Sequence, residues 1–265
     1  MTLADKSGFR RVEAVNRATV RFLAALILLL NLSARAFAGP PYITDDPEPV
    51  EYGHWEIYFG SQFIKQSDTW TSTAPHLEVD YGPLPNVQLA VIAPMILYAP
   101  TDGPTNYGYG DTQIGLKFRF VQESKWRPQI ATYPQLEIPT GSRDQNLGSG
   151  SVQTFLPLWL QKSVGKWTAY GGGGYWINPG PGNRNWFFTG LVVERQVWPN
   201  FTPGLEIFHG TSQQVGGPRE TGINLGLTWD FSETHHIVFS TGPALEGSNQ
   251  LQGYLAYELT LGPNS

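Results

Sequence analysis

Ile114-Gly115-Leu116-Lys117-Phe118-Arg119-Phe120 alternates strictly, with Ile, Leu and two Phe on one parity and Gly, Lys and Arg on the other. Neighbouring side chains on a strand point to opposite faces, so this stretch makes a ribbon with one oily side and one charged side. A helix would scatter both kinds around its circumference.

The same pattern repeats on either side of it. Period-two runs bounded by Gly, Pro, Asn, Asp or Ser are expected at 54–66, 70–81, 86–98, 109–121, 128–139, 151–163, 166–177, 185–197, 200–211, 220–231, 234–242 and 250–261, twelve in all. They are longer than the usual strand of about five or six residues and match the roughly nine to eleven that a tilted strand needs to cross a bilayer. One parity is apolar throughout, as in Leu156, Leu158 and Leu160 or Ile223, Leu225, Leu227 and Trp229. On the other parity lie Glu56, His76, Glu78, Asp80, Lys117, Arg119, Glu137, Glu206, Asp230 and Glu258. These residues must face water or one another, and are expected to line a lumen.

A β-sandwich would alternate in the same way, so composition has to arbitrate. Only 15% of the 265 residues are charged, against about 25% in an ordinary water-soluble chain. The polar parity is mostly Gly, Ala, Gln, Thr and Tyr, which suits a crowded lumen better than an exposed sheet face. The fold expected is therefore all-β: a transmembrane antiparallel β-barrel of about twelve strands. Helical membrane architecture is excluded by a mean hydropathy of -0.24, disorder by the aromatic content of 13%, and disulfides and cysteine chemistry by the absence of Cys. An isoelectric point near 5.5 gives no reason to expect nucleic acid as a partner.

Residues 1–38 read as a signal peptide: Arg10, Arg11, Arg17 and Arg21 precede the apolar run from Phe22 to Leu30, and Ala36-Phe37-Ala38 offers a cleavage site. Its removal leaves 11 basic against 20 acidic side chains, a formal net charge of -9. Residues 39–53 form a Pro-rich periplasmic segment, in which Pro47 and Pro49 cannot donate to a ladder, and 54–265 form the barrel. Asp45 and Asp46 lie in that segment, which can fold up into the lumen as a plug. Outer-membrane barrels have short periplasmic turns and longer outer loops. The even-numbered links are mostly tight and most of the odd-numbered ones are longer and richer in Gly, Pro and Asn, which puts both ends of the barrel in the periplasm. The first link, at Ser67 to Thr69, breaks this rule.

Several groups have more than one reading. Trp126, Trp167, Trp198 and Trp229 fall at periplasmic strand ends, as a girdle at the headgroup level or as ordinary core Trp. Gly171 to Gly174 sit inside a strand, where they let the sheet bend or leave room opposite a bulky side chain; without a following helix or a Lys-Ser/Thr tail they make no phosphate cradle. His209 and Ser212 are the residues a lipid-modifying barrel enzyme would use, but their opposite parity separates imidazole and hydroxyl. His235 and His236 follow a tight turn and are expected to be solvated. The lumen charges serve either as a salt-bridged filling that stabilises the barrel or as a constriction that filters solutes.

The stretch from Gly39 to Ile57 contains Thr44-Asp45-Asp46-Pro47 and Gly53-His54-Trp55-Glu56, and Pro139-Thr140-Gly141 ends a later strand. In these features the chain resembles the outer-membrane family of the meta-pathway of phenol degradation, a family of transporter-like barrels. The resemblance implies import of aromatic or other hydrophobic compounds across the outer membrane of a Gram-negative bacterium. The chain departs from many outer-membrane proteins in closing on Leu259-Thr260-Leu261-Gly262 rather than on a terminal aromatic. The function expected is a channel or facilitated-diffusion transporter for small solutes, with a lipid-modifying enzyme and a secreted sandwich as the alternatives. No catalytic residue, cofactor or metal is expected. The partners are outer-membrane lipid, a small-molecule solute and the barrel-assembly machinery.

Overall fold

The computed structural model describes residues 41–263. The signal peptide expected at 1–38 lies outside them. Twelve strands follow in chain order: β1 (Trp55–Gln66), β2 (Thr69–Leu84), β3 (Val87–Pro100), β4 (Asn106–Tyr109, resuming as Thr112–Val121), β5 (Gln129–Thr132, resuming as Gln135–Ile138), β6 (Gln153–Val164), β7 (Trp167–Ile177), β8 (Trp186–Arg195), β9 (Phe201–Gly210), β10 (Glu220–Asp230), β11 (His235–Gly242, resuming as Ala244–Glu246) and β12 (Asn249–Leu261). Each pairs antiparallel with the next, and β1 pairs with β12 in unbroken register from Trp55↔Leu261 to Lys65↔Leu251. That pairing closes the meander into a barrel without edges, the form of sheet that can stand in lipid. Among the described residues the only helical turn is a 3-10 turn at Arg143–Gln145.

Parity sorts the side chains as alternation requires. On β6, Leu156, Leu158 and Leu160 are exposed, while Phe155, Trp159 and Gln161 are buried. On β10, Leu225 is 66% exposed and its neighbour Asn224 is 1% exposed. The oily residues lie outside and the polar ones inside, the reverse of a domain folded in water. Trp126, Trp167, Trp198 and Trp229 are all exposed at the short-turn end.

The strand breaks have local causes. Pro134 lacks an N–H and interrupts β5 after Tyr133. Pro243 interrupts β11, but Ala244–Glu246 go on pairing with Thr221 and Gly222 of β10. The expected long link from Pro243 to Asn249 is thereby reduced to Gly247 and Ser248. The β1–β2 link is short as well, at Ser67 and Asp68, so the β1–β2 and β11–β12 hairpins form a low rim where long loops are the rule. The last three residues of β2, Gly82 to Leu84, extend it beyond the expected 81 and leave Pro85 and Asn86 as the turn, with Asn86 at φ 66. The longest link between the described strands, 139–152, is held by Asp111, whose carboxylate accepts the Gly141 N–H at 2.9 Å and the Ser149 N–H at 2.6 Å. It carries Leu147, which is buried.

A charge on the outward face would meet hydrocarbon. Leu158→Arg, at the middle of β6, is expected to cost about 2–4 kcal/mol, and Leu158→Met under about 1.5 kcal/mol. Reversible urea unfolding in lipid vesicles measures both, and equal stabilities would contradict the assignment of this face.

Candidate functional site

The interior is built from two parts, a chain segment held by the wall and an aromatic-lined cavity above it. The segment comes first in sequence. Pro41, Pro47 and Pro49 deny it a regular ladder, so the N–H groups it does have must be met individually. The Asp46 and Glu48 N–H groups are met within the segment, by Asp45 at 2.8 Å and Asp46 at 2.5 Å, and those of Ile43, Thr44 and Val50 by side chains of the inner wall. The Thr44 N–H donates to Glu206 Oε1 at 2.6 Å and the Ile43 N–H to Glu206 Oε2 at 3.3 Å, while the Asn224 amide donates to the same carboxylate at 2.6 Å. The Val50 N–H donates to Gln88 Oε1 at 3.0 Å, and Ser240 Oγ donates to the Pro41 carbonyl. Anchors on β3, β9 and β11 mean that the segment crosses the barrel's interior.

Charge fixes its other side. Lys117 Nζ on β4 lies 3.1 Å from Asp45 and 3.9 Å from Asp46, donates to the Glu48 carbonyl at 3.3 Å, and sits 5.0 Å from the centre of the Tyr133 ring. Arg119 donates to Glu48 Oε1 at 3.0 Å and to Gln129 Oε1 at 2.9 Å, and Gln129 Nε2 donates to Glu48 Oε2 at 2.9 Å. Burial holds the Asp46 carboxyl well above the usual carboxylate range, an upward shift that Lys117 offsets only in part. Close approach also needs space. Gly190 faces the Thr44 side chain and Gly226 faces the Tyr42 ring, positions where a Cβ would collide.

All ten residues expected to line the lumen stand on the inward parity. His76, Glu78, Asp80, Lys117, Glu206 and Glu258 are buried, and Glu56, Arg119, Glu137 and Asp230 are partly so. They do not form one constellation. Lys117, Arg119 and Glu206 hold the segment. His76 Nε2 lies 3.3 Å from Glu78. Gln88 donates to Asp80 at 2.8 Å, the Tyr58 hydroxyl to Glu56 at 2.9 Å, and Gln113 to Glu137 at 3.1 Å. Toward the short-turn end Asp230 lies 2.7 Å from His236, which is buried rather than solvated because its other nitrogen lies 3.3 Å from the Thr260 hydroxyl inside the wall. His209 is bonded to Thr221 Oγ1 at 2.8 Å and Ser212 Oγ donates to the Gln214 carbonyl at 2.5 Å, so these two make no catalytic pair.

Above the segment, toward the long loops, a cavity of about 730 Å³ has Pro41, Tyr42, Ile43 and Asp45 at its floor. One wall is aromatic. Phe155 stacks on Trp176 at 4.7 Å between centroids, Trp176 on Trp186 at 5.6 Å, and Phe188 meets Trp159 edge to face at 6.3 Å. Gly172 and Gly174, opposite Trp159 and Phe155, leave the room these rings occupy. The parity of β6 already assigns Phe155 and Trp159 to the inner face with Gln161, a signal the charge-led reading of the lumen passed over.

A family model described as "Putative MetA-pathway of phenol degradation" matches residues 53–257. Among solved structures, an outer membrane channel from Pseudomonas putida F1 superposes with a TM-score of 0.68 at 14% identity, covering 82% of this chain and 98% of that one. The KdgM porin in complex with disordered oligogalacturonate superposes with a TM-score of 0.53 at 10% identity, covering 79% of this chain and 99% of that one. No curated protein matches the chain in sequence.

The Lys117 anchor can be tested with a single thiol, since the chain has no Cys. In a Thr44→Cys variant the thiol should resist a water-soluble maleimide, because Thr44 is 1% exposed. Adding Lys117→Met leaves Asp45 and Asp46 without their cation and should raise the labelling rate by about tenfold or more, as expected for an uncompensated buried charge. Equal rates in the two backgrounds would show that Lys117 does not hold the segment.

Proposed function

The chain belongs to the MetA-pathway of phenol degradation family, and from that membership we propose that it is an outer-membrane channel passing small aromatic or hydrophobic solutes by facilitated diffusion. The observation that carries the reading is the stacked wall of Phe155, Trp176 and Trp186 in a cavity facing the long-loop end. Rings that line a cavity, with Trp186 at the end of the pile, offer a face on which a planar solute can stack. The similar barrel from Pseudomonas putida F1 is an outer membrane channel, which supports the same reading here. Outer-membrane lipid surrounds the apolar exterior, and the barrel-assembly machinery inserts it.

In this reading the segment from Pro41 to Val50 is the plug, with Asp45 and Asp46 gripped by Lys117. Glu56, His76, Glu78, Asp80, Arg119, Glu137, Glu206, Asp230 and Glu258 line the passage. Its closure rests on a handful of polar contacts rather than on strand pairing, so it can yield without opening the barrel. The reading assigns the protein no covalent chemistry.

Two measurements test it. Liposomes containing the refolded protein should admit phenol faster than a sugar of equal size, and equal rates would count against an aromatic path. Deleting residues 40–52 should raise single-channel conductance in planar bilayers several-fold by removing the segment; unchanged conductance would dispose of the plug.

A further inference from the structure

The charges around the aromatic cavity are unbalanced. Its lining includes the carboxylates of Asp45, Glu78, Asp111 and Glu137 and the imidazole of His76, and among the described residues it includes no Lys or Arg. The two cations that reach the segment are already engaged, Lys117 with Asp45 and Asp46 and Arg119 with Glu48. Asp111 is occupied by backbone donors of the 139–152 loop. Glu78 is the less committed, with only His76 beside it, while Glu137 accepts from Gln113 and lies against the Asp111 carboxyl. Five polar atoms of lining residues have no hydrogen-bond partner although those residues are more than nine-tenths buried: Tyr42 OH, His76 Nδ1, Trp159 Nε1, Gln252 Oε1 and Tyr254 OH. A buried polar atom left unpaired costs free energy that a bound ligand or water would recover.

We propose that this cavity is a binding site for aromatic organic cations, arylalkylammonium compounds as a class, and that it discriminates against the isosteric aromatic carboxylates. The inference rests on the channel reading and narrows its solute. The ring stacks on the outer face of Trp186, at the end of a pile in which Trp176 lies between Phe155 and Trp186 and beyond which stands only Gly210. The ammonium faces Glu137 and Glu78, with Gln252 Oε1 as a further acceptor. Aromatic faces add to the attraction, because their quadrupole favours a cation. An anionic solute of the same shape would meet carboxylates with no cation to receive it. A neutral phenol falls between the two, since its hydroxyl can donate to a carboxylate and accept from Trp159 Nε1.

The test is isothermal titration calorimetry of the full chain in detergent with phenethylammonium, phenylacetate and 2-phenylethanol. Phenethylammonium should bind about tenfold or more tightly than phenylacetate, the ratio that one well-placed charge supports, with the alcohol between them. Glu137→Gln should cut that ratio several-fold, weakening the amine most, whereas Trp186→Leu should weaken all three ligands. Heat-modifiable migration on a detergent gel establishes that each variant is folded. If Glu137→Gln does not fold, the three wild-type affinities decide alone. Phenylacetate binding as tightly as the amine, or no binding by any of the three, overturns the inference. Binding in the expected order with no flux through liposomes would instead overturn the channel reading, so the two failures are separable.

Discussion

The twelfth strand returns to the first. Without the unbroken β1–β12 pairing from Trp55↔Leu261 to Lys65↔Leu251, two rows of backbone N–H and C=O groups would face hydrocarbon. Each would cost several kcal/mol with no water to receive it. Closure removes both rows at once, and it requires an even number of strands in an antiparallel meander. Once the ring is closed, period two does the rest, because every second side chain points outward for the length of each strand. The exterior can then be almost entirely Leu, Val, Ile, Phe and Trp, and the charged side chains of the described residues fall to loops, turns, strand ends and the lumen.

A lumen filled in this way sets its own problem. Inward carboxylates on β1, β2, β5, β9 and β12 lie where water is scarce, and each needs a donor. The wall supplies some: Gln88 for Asp80, Tyr58 for Glu56, Gln113 for Glu137. The N-terminal segment supplies others. Glu206, with 0% of its surface exposed, takes two of its three donors from Ile43 and Thr44. The dependence is mutual. The segment's prolines keep it from pairing as a strand, and Glu206 and Gln88 of the wall satisfy the Ile43, Thr44 and Val50 N–H groups that a strand neighbour would otherwise have taken.

Much of this was legible in the sequence. Alternation in stretches such as Ile114 to Phe120 locates all twelve strands, and it puts Lys117, Arg119, Glu206 and the other titratable residues on the inner face. Proline marks the segment that cannot be a strand. The hairpin lengths at the low rim were less legible, because Pro243 reads as a terminator while the three residues after it still find β10 as a partner. His236 was misread as solvated for a related reason: a residue just after a turn is exposed or buried according to parity, and parity placed it inside. The pairing within the lumen could not be read at all. Lys117 meets Asp45 across 72 positions and Glu206 meets Thr44 across 162, distances over which local pattern carries no information.

The aromatic wall shows why inward residues need as much attention as outward ones. In a water-soluble sheet a buried Trp or Phe is core and calls for no further account. In a barrel whose outside is apolar, a ring placed inside gives up contact with lipid and gains only what the lumen offers. Trp159, Trp176, Trp186, Phe155 and Phe188 make that exchange together, on neighbouring strands β6, β7 and β8. The Gly run of β7 leaves room for two of these rings at the expense of its own side-chain contacts. Stability alone would be served as well by the Gln, Thr and Ala found elsewhere on the inner face. Rings gathered on one side of the passage, with carboxylates on β2, β4 and β5 beside them, divide the cavity into a stacking surface and a charged margin, and a solute with one apolar face and one polar end matches that division.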